Sequence, residues 1–119
     1  MHRLTTQDIV KKAVGNSKYK QTYAGLHKLL STNTYRLMRE GNTLFLVHII
    51  EKAVCEIAVL NGDTKDNMMQ NFYGFLKALK KCNYEKVYME SNSITVMHHL
   101  QDKGYNIKGV NNNHYLLEL

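Results

Sequence analysis

The feature that most constrains the fold is a repeated change in hydrophobic period, between the two-residue repeat of a strand and the 3.6-residue repeat of a helix. Three consecutive strand-type runs come first, at 34–39, 43–50 and 53–60. The period then becomes helical over 64–82 and returns to the strand type over 85–90. Because a helix that links two strands of one sheet makes a right-handed crossover, 53–60 and 85–90 are predicted to be parallel neighbours.

Two amphipathic helices are predicted before the strands. The first begins at a Thr5 or Thr6 cap, carries apolar residues at helical spacing and ends at Gly15-Asn16. The second spans 18–31, where the apolar side chains again fall on one face. Together with the crossover helix, these segments predict an α/β domain.

Short turns and a final hairpin complete the pattern. Gly41-Asn42 separates the first two strand-type runs and suits a tight two-residue turn, because glycine supplies the positive φ that such turns need. A helix over 93–103, capped by Ser91 or Ser93, is predicted to end at Gly104. The runs 105–110 and 114–119 then predict a closing hairpin.

Length and composition indicate one folded domain over residues 1–119. The chain has 119 residues, no proline and 44% hydrophobic residues, which is ordinary for a globular protein. No apolar stretch approaches the length of a membrane span, and the N-terminus lacks a signal-peptide pattern, so a cytoplasmic location without membrane insertion is expected. We interpret Cys55 and Cys82 as reduced core thiols.

The formal net charge of +6 favours acidic partners. The basic residues are scattered as pairs such as Lys11-Lys12 and Lys80-Lys81, without a run of five or more. We therefore interpret the charge as a solvated basic surface, and nucleic-acid binding is the minor alternative.

Two segments carry a family resemblance. The opening Arg3-Leu4-Thr5-Thr6-Gln7-Asp8-Ile9 resembles a strand with an arginine that runs into a Thr-x-x-Asp helix start. Asn92, followed by a helix and Lys103-Gly104-Tyr105, resembles an Asn…Lys-x-Gly-Phe segment, with Tyr105 in place of Phe. With the order of elements, these segments resemble the GNAT (GCN5-related N-acetyltransferase) superfamily over nearly the whole chain.

The resemblance implies a GNAT-like fold: a mixed, mostly antiparallel sheet of six to seven strands with a central parallel pair and helices on both faces. The seventh strand requires residues 1–4 to form a short first strand. It also implies a bacteriophage origin as one possible source, because small GNAT-like proteins occur in tailed phages.

In the family, two parallel strands part to hold the pantetheine arm of acetyl-CoA, and a helix N-terminus receives the diphosphate. The resemblance implies that strands 53–60 and 85–90 form this cleft and that the N-terminus of helix 64–82 receives the diphosphate. The implied cofactor-binding residues are Ile57, Val59, Thr64, Lys65, Asp66, Asn67, Met68, Met69 and Asn92.

Two departures from the family pattern concern cofactor binding and chemistry, and the first of them predicts weak or absent acetyl-CoA binding. The family's phosphate-binding loop contains glycines that let backbone N–H groups approach an anion, whereas 64–69 contains none, and Asp63 and Asp66 add negative charge. The family's tyrosine acid, four residues before the glycine, corresponds here to Leu100.

Glu56 is the candidate general base, because it lies on the strand beside the predicted cleft. Its alternation with Cys55 and Ile57 leaves two alternatives open, a carboxylate that faces the cleft and one that only faces solvent. His98 and His99 fit a surface pair better than a catalytic one. The histidines lack metal-ligand spacing, so no metal site is predicted.

Two functions remain. One is an N-acetyltransferase that moves an acetyl group from acetyl-CoA to an amine, with positioning as the main source of rate. The other is a catalytically inactive GNAT-fold phage protein, acting as a virion component or binding a host protein.

Overall fold

The computed structural model describes residues 3–91 and 94–119. Within these ranges the chain forms four helices and six strands. The helices are α1 (Thr6–Val14), α2 (Tyr19–Leu30), α3 (Lys65–Lys81) and α4 (Ile94–Asp102). The strands are β1 (Tyr35–Glu40), β2 (Thr43–Glu51), β3 (Val54–Asn61), β4 (Lys86–Glu90), β5 (Asn106–Asn111) and β6 (His114–Glu118). Each lies within two residues of its predicted position.

The strands form one mixed sheet in the order β1-β2-β3-β4-β6-β5. β3 and β4 are parallel, which confirms the predicted crossover through α3, and the other neighbours are antiparallel. The β1–β2 turn contains Gly41 with a φ of 56°, as the predicted two-residue turn requires.

Helices cover both faces of the sheet, and alternation along β2 separates two cores. Phe45 and Val47 point toward α3 and α4, in a cluster that also contains buried residues of both helices. Leu44 and Leu46 point the other way, toward α1 and α2. The predicted α/β fold class is therefore confirmed.

The α3/α4 face holds the larger core. Three aromatic rings lie at its centre: Phe45 stacks on Phe75 with centroids 4.0 Å apart, and Phe72 meets both rings edge to face. Leu76 and Leu79 of α3 lie in the same cluster, and Met68 packs against it. Leu100 of α4 is fully buried in the same cluster.

Two expectations about the chain need correction. Arg3 and Leu4 are not in a strand; the Leu4 N–H donates to the Asn42 side chain, and Thr5 already caps α1. Met1 and His2, the rest of the predicted first strand, lie outside the described residues. Cys82 is exposed at the C-cap of α3, so only Cys55 is a core thiol.

Across the described ranges, no helix is both long and apolar enough to cross a membrane.

Candidate functional site

The parallel strands β3 and β4 part before β3 ends. They are paired from Val54 opposite Lys86 to Ile57 opposite Met89. β3 continues to Asn61, where its partner is β2 alone. Within the described part of the chain, the β3 segment 58–61 therefore lacks a strand on its β4 side. Parting at this point leaves main-chain groups of β3 available to an extended ligand.

A cavity of about 500 Å³ lies at this opening, on the sheet face that carries α1 and α2. We call it the strand-opening cavity. Its polar lining comes from five strands, all except β5, and from the residue that follows β4, and its apolar lining comes from α2, β2 and β3. The residues concerned are Leu29, Tyr35, Leu46, His48, Glu56, Ile57, Ala58, Val59, Glu90, Ser91 and His114.

Glu56 lines this cavity, so its side chain is on the cleft face. It lies directly opposite His48 in the β2–β3 pairing, and Glu56 Oε1 is 3.8 Å from His48 Nδ1. Tyr35 is opposite His48 in the β1–β2 pairing, and the two rings stack with centroids 4.3 Å apart. Cross-strand neighbours on one face pack in this way. The stack holds the imidazole beside the carboxylate.

A second histidine–glutamate pair comes from the other side of the opening. Glu90 of β4 is opposite His114 of β6, and Glu90 Oε2 is 3.6 Å from His114 Nε2. His114 Nδ1 lies 2.7 Å from the Asn112 carbonyl oxygen. Because a carbonyl only accepts, Nδ1 carries the proton, and Nε2 has one to offer Glu90 only when the ring is cationic.

The strand-opening cavity therefore has acidic groups on both parting strands, although the chain as a whole has a net charge of +6. Both carboxylates remain solvated, with side-chain exposures of 56% for Glu56 and 66% for Glu90. Charge at such a site attracts cations without the cost of burial. Among residues 3–91 and 94–119, no group of three acidic, histidine or cysteine side chains could hold a metal ion.

The predicted diphosphate-binding turn forms the N-terminus of α3. The Thr64 hydroxyl caps the helix by accepting the Asn67 N–H at 3.3 Å. Lys65 and Asp66 are exposed in or beside the first turn. A neighbouring cavity of about 600 Å³ is lined in part by Lys12, Thr64 and Asn67. This end combines a helix dipole and two lysines with two competing carboxylates, Asp63 and Asp66.

The Asp63 carboxylate already accepts hydrogen bonds from the β1–β2 turn and from α3. Its carboxylate accepts the backbone N–H of Asn42 at 3.0 Å, the Asn42 side-chain amide at 3.3 Å and the Asn71 side-chain amide at 2.8 Å. Burial raises the pKa of Asp63, but these hydrogen bonds and the charge of Lys12 outweigh it and lower the pKa below its usual range. Asp63 fastens the β1–β2 turn to the start of α3.

Three of the four apolar residues among the predicted cofactor-binding set contribute to the α3/α4 core. Ile57 is a buried member of that cluster, and Val59 and Met68 pack against it. Met69 is buried as well. Asn92, the last of the predicted set, lies outside the described residues.

The other catalytic candidates lie away from the opening. His98 and His99 are exposed on α4 and do not line the strand-opening cavity. Leu100 is buried at 0% exposure, so no proton donor occupies that position. Sequence reasoning named Glu56 but missed its neighbours Tyr35, His48, Glu90 and His114, which only strand register brings together.

No protein-family model and no curated protein matches the chain at the level of sequence. Solved structures do match it in fold. The N-acetyltransferase PseH of Campylobacter jejuni superimposes with a TM-score of 0.66 at 13% identity, over 98% of this chain and 91% of PseH. PseH in complex with acetyl coenzyme A gives a TM-score of 0.64 at 12% identity, over 98% and 92% of the two chains.

A Chromobacterium violaceum protein described as a probable acetyltransferase of the GNAT family gives a TM-score of 0.63 at 9% identity. The match covers 94% of this chain and 78% of that one. At these identities the likeness is one of architecture, and it extends over nearly the whole chain.

Proposed function

We propose that this chain, which has the fold of the GNAT acetyltransferases, transfers an acetyl group from acetyl-CoA to an amine. The observation that carries the proposal is the parting of β3 and β4 beyond Ile57 and Met89, beside a cavity that contains Glu56. An extended acyl carrier and a cationic acceptor then meet at one point, and proximity supplies much of the rate.

The chain fits the pantetheine part of the cofactor better than the diphosphate part. The main chain of β3 over 58–61 can pair with an amide-bearing arm, as an added strand would. The N-terminus of α3 offers its dipole and Lys65 to a diphosphate, but Thr64 already takes the Asn67 N–H. Weak binding is therefore expected. When bound, acetyl-CoA supplies a thioester-activated acetyl group.

We assign Glu56 as the proton acceptor. An ammonium has no lone pair, so the acceptor first loses one proton to solvent. As the neutral amine nitrogen then forms its bond to the acetyl carbon and the carbon–sulfur bond breaks, the nitrogen releases a second proton to the Glu56 carboxylate. His48, stacked on Tyr35, positions that carboxylate from the neighbouring strand. The departing thiolate takes its proton from solvent, since Leu100 offers none.

Isothermal titration with acetyl-CoA tests the proposal directly. Saturable binding in the micromolar to millimolar range is expected, and Lys65→Glu should weaken it several-fold by placing a third carboxylate near the diphosphate. Lys52→Glu is the matched control, because it makes the same charge change in the exposed turn at the other end of β3. Absence of saturable binding at about 1 mM acetyl-CoA would contradict the proposal.

A second candidate is a catalytically inactive, phage-encoded protein that keeps the fold and binds a virion or host protein. The glycine-free turn at Thr64 and the buried Leu100 both favour it, since both depart from what acetyl transfer uses. It predicts no acetyl-CoA binding together with a defined complex in native mass measurements of the source lysate. A free monomer that binds acetyl-CoA would exclude this second candidate.

A further inference from the structure

We propose that the acceptor is a primary monoamine with an apolar body. Its ammonium group would lie between Glu56 and Glu90, and its body would lie in a groove beneath α2. This inference rests on the proposed function, because it names the acceptor class for the same opening.

The apolar groove has a volume of about 610 Å³ and runs between α2 and the strands β2 and β3. Its lining is almost wholly apolar apart from two threonines and Lys28. It is continuous with the strand-opening cavity, because three residues line both. These shared residues are Leu29, Leu46 and Ala58. A ligand can therefore occupy the acidic opening and the groove together.

Incomplete coverage of the sheet opens this groove. Ala58 is exposed although β3 is the third of six strands, and Leu29 of α2 keeps 37% of its surface exposed. Both walls carry a small residue, Ala58 from β3 and Gly25 from α2, and a methyl group added at Gly25 would meet nothing within 4 Å. The space is wide enough for an alkyl chain or a ring and has the apolar lining typical of a ligand site.

The charges around the two cavities discriminate between amines. Two carboxylates, Glu56 and Glu90, line the strand-opening cavity, together with the histidines paired to them. The lining residues of the groove include no carboxylate. A second ammonium at the far end of the ligand would therefore lie in an apolar site without an acidic partner. Diamines and polyamines should therefore bind more weakly than monoamines of equal length.

Three six-carbon probes test this without the cofactor: hexylamine, 1,6-diaminohexane and 1-hexanol. Binding to the full chain is followed by calorimetry or by shifts in amide resonances. Hexylamine should bind about tenfold more tightly than either other probe. Lengthening the amine from butylamine to hexylamine should increase its affinity about threefold for each methylene buried. Equal binding of the diamine or of the alcohol would overturn the inference.

Two variants locate the ligand. Leu29→Ser should weaken hexylamine binding severalfold and leave methylamine binding unchanged. Ile50→Ser is the control, because it removes an exposed apolar side chain outside the groove and should change the affinity for neither amine. Glu90→Gln should weaken the binding of hexylamine but not of 1-hexanol, because only the amine carries a charge. Circular dichroism of each variant confirms that it is folded. An unchanged hexylamine affinity in both Leu29→Ser and Glu90→Gln would overturn the inference.

Failure of this inference differs from failure of the proposed function. If acetyl-CoA binds but the three probes are not distinguished, the acceptor class is wrong and acetyl transfer stands. If hexylamine binds as expected and acetyl-CoA does not, the groove is an amine site and the transfer is wrong.

Discussion

The two faces of the sheet differ most clearly along a single strand. On β3, Cys55 and Ile57 point into the α3/α4 core and are 0% and 6% exposed. Glu56 and Ala58, which alternate with them, are exposed on the α1/α2 face. One strand therefore supports a dry core on one side and an open, acidic cavity on the other.

The difference separates the face that contributes most to stability from the face proposed to bind ligands. α3 crosses the sheet with 17 residues and brings two phenylalanines onto Phe45. α2, with 12 residues, leaves the middle of its face uncovered. Carboxylates are tolerated at that place because water reaches them, whereas the same charges under α3 would need partners.

The largest effect expected from this comparison is on stability. Phe75→Ala should lower the free energy of unfolding by about 3–5 kcal/mol, because it empties the centre of the aromatic cluster. Leu29→Ala, on the open face, should cost about 0.5 kcal/mol or less. Equilibrium urea unfolding measures both. Similar losses for the two variants would mean that the faces contribute equally and that the comparison is wrong.

Thiol labelling compares the faces at adjacent positions of β3. Burial raises the pKa of the Cys55 thiol to about 11, so in a Cys82→Ser background the native protein should react slowly with a maleimide or iodoacetamide at pH 8. Adding Ala58→Cys should introduce a thiol that reacts on the order of 100-fold faster than Cys55, because position 58 is exposed and its thiol has an ordinary thiolate fraction.

Mass spectrometry of the labelled peptides distinguishes the two positions. Labelling of both thiols after addition of denaturant is the control for reagent access. If Cys55 and the thiol introduced at position 58 react at comparable rates in the folded protein, the α3/α4 face is not closed, and the two sides of β3 do not differ as described.

A smaller effect is expected at the edge where both faces meet the β1–β2 turn. The Asp63 carboxylate accepts N–H groups of Asn42 and Asn71, and Asp63→Asn replaces one of its two acceptor oxygens with a donor. The free energy of unfolding should therefore fall by about 1–3 kcal/mol at pH 7. Because the folded state lowers the pKa of Asp63, its contribution is complete above the unfolded value of about 3.9 and is lost as the pH falls through the lower folded value.

Urea unfolding of Asp63→Asn and of the wild type should therefore differ most at neutral pH and converge below pH 4. Asp66→Asn is the matched control, since it removes an exposed carboxylate three residues away. A stability difference between wild type and Asp63→Asn that stays constant down to pH 2 would show that the Asp63 charge is not what the turn uses.

Most of the fold could be predicted from periodicity. The helical pattern over 64–82 located α3 at Lys65–Lys81, and the crossover rule then made β3 and β4 parallel. The predicted strand over residues 1–4 was wrong at Arg3 and Leu4, because a strand there was inferred from resemblance alone. Cys82 was wrongly assigned to the core, because hydrophobic character does not show where a helix ends.

Part of the site was also predictable. A two-residue turn at Gly41-Asn42 sets Glu40 opposite Thr43 and therefore Tyr35 opposite His48, so that stack follows from the turn. The pair of Glu90 and His114 required the β4–β6 pairing, which joins strands that are not consecutive in the chain.

The direction of Glu56 could not be predicted, because a bulge decides it. Near the β2–β3 turn, Glu51 is opposite Val54, and continuing that register would place His48 opposite Ile57. An irregularity between Ile49 and Glu51 shifts the pairing by one residue, so that His48 is opposite Glu56 instead. A one-residue shift exchanges the two faces of a strand, and nothing in the composition of the turn indicates it.

The smallest effect expected is on the stability of Glu56→Gln. The Glu56 carboxylate is 56% exposed and lies 3.8 Å from His48 Nδ1. Because exposed pairs of this kind contribute little to stability, the free energy of unfolding should change by about 0.5 kcal/mol or less. Cys55→Ser, one residue away on the closed face, should cost about 1–3 kcal/mol by burying a hydroxyl.

Acetyl transfer by Glu56→Gln should nonetheless fall about 100-fold in kcat with little change in the KM for acetyl-CoA. A Glu56→Gln variant that is strongly destabilised would place this residue with the core, and the open face would then serve stability as well.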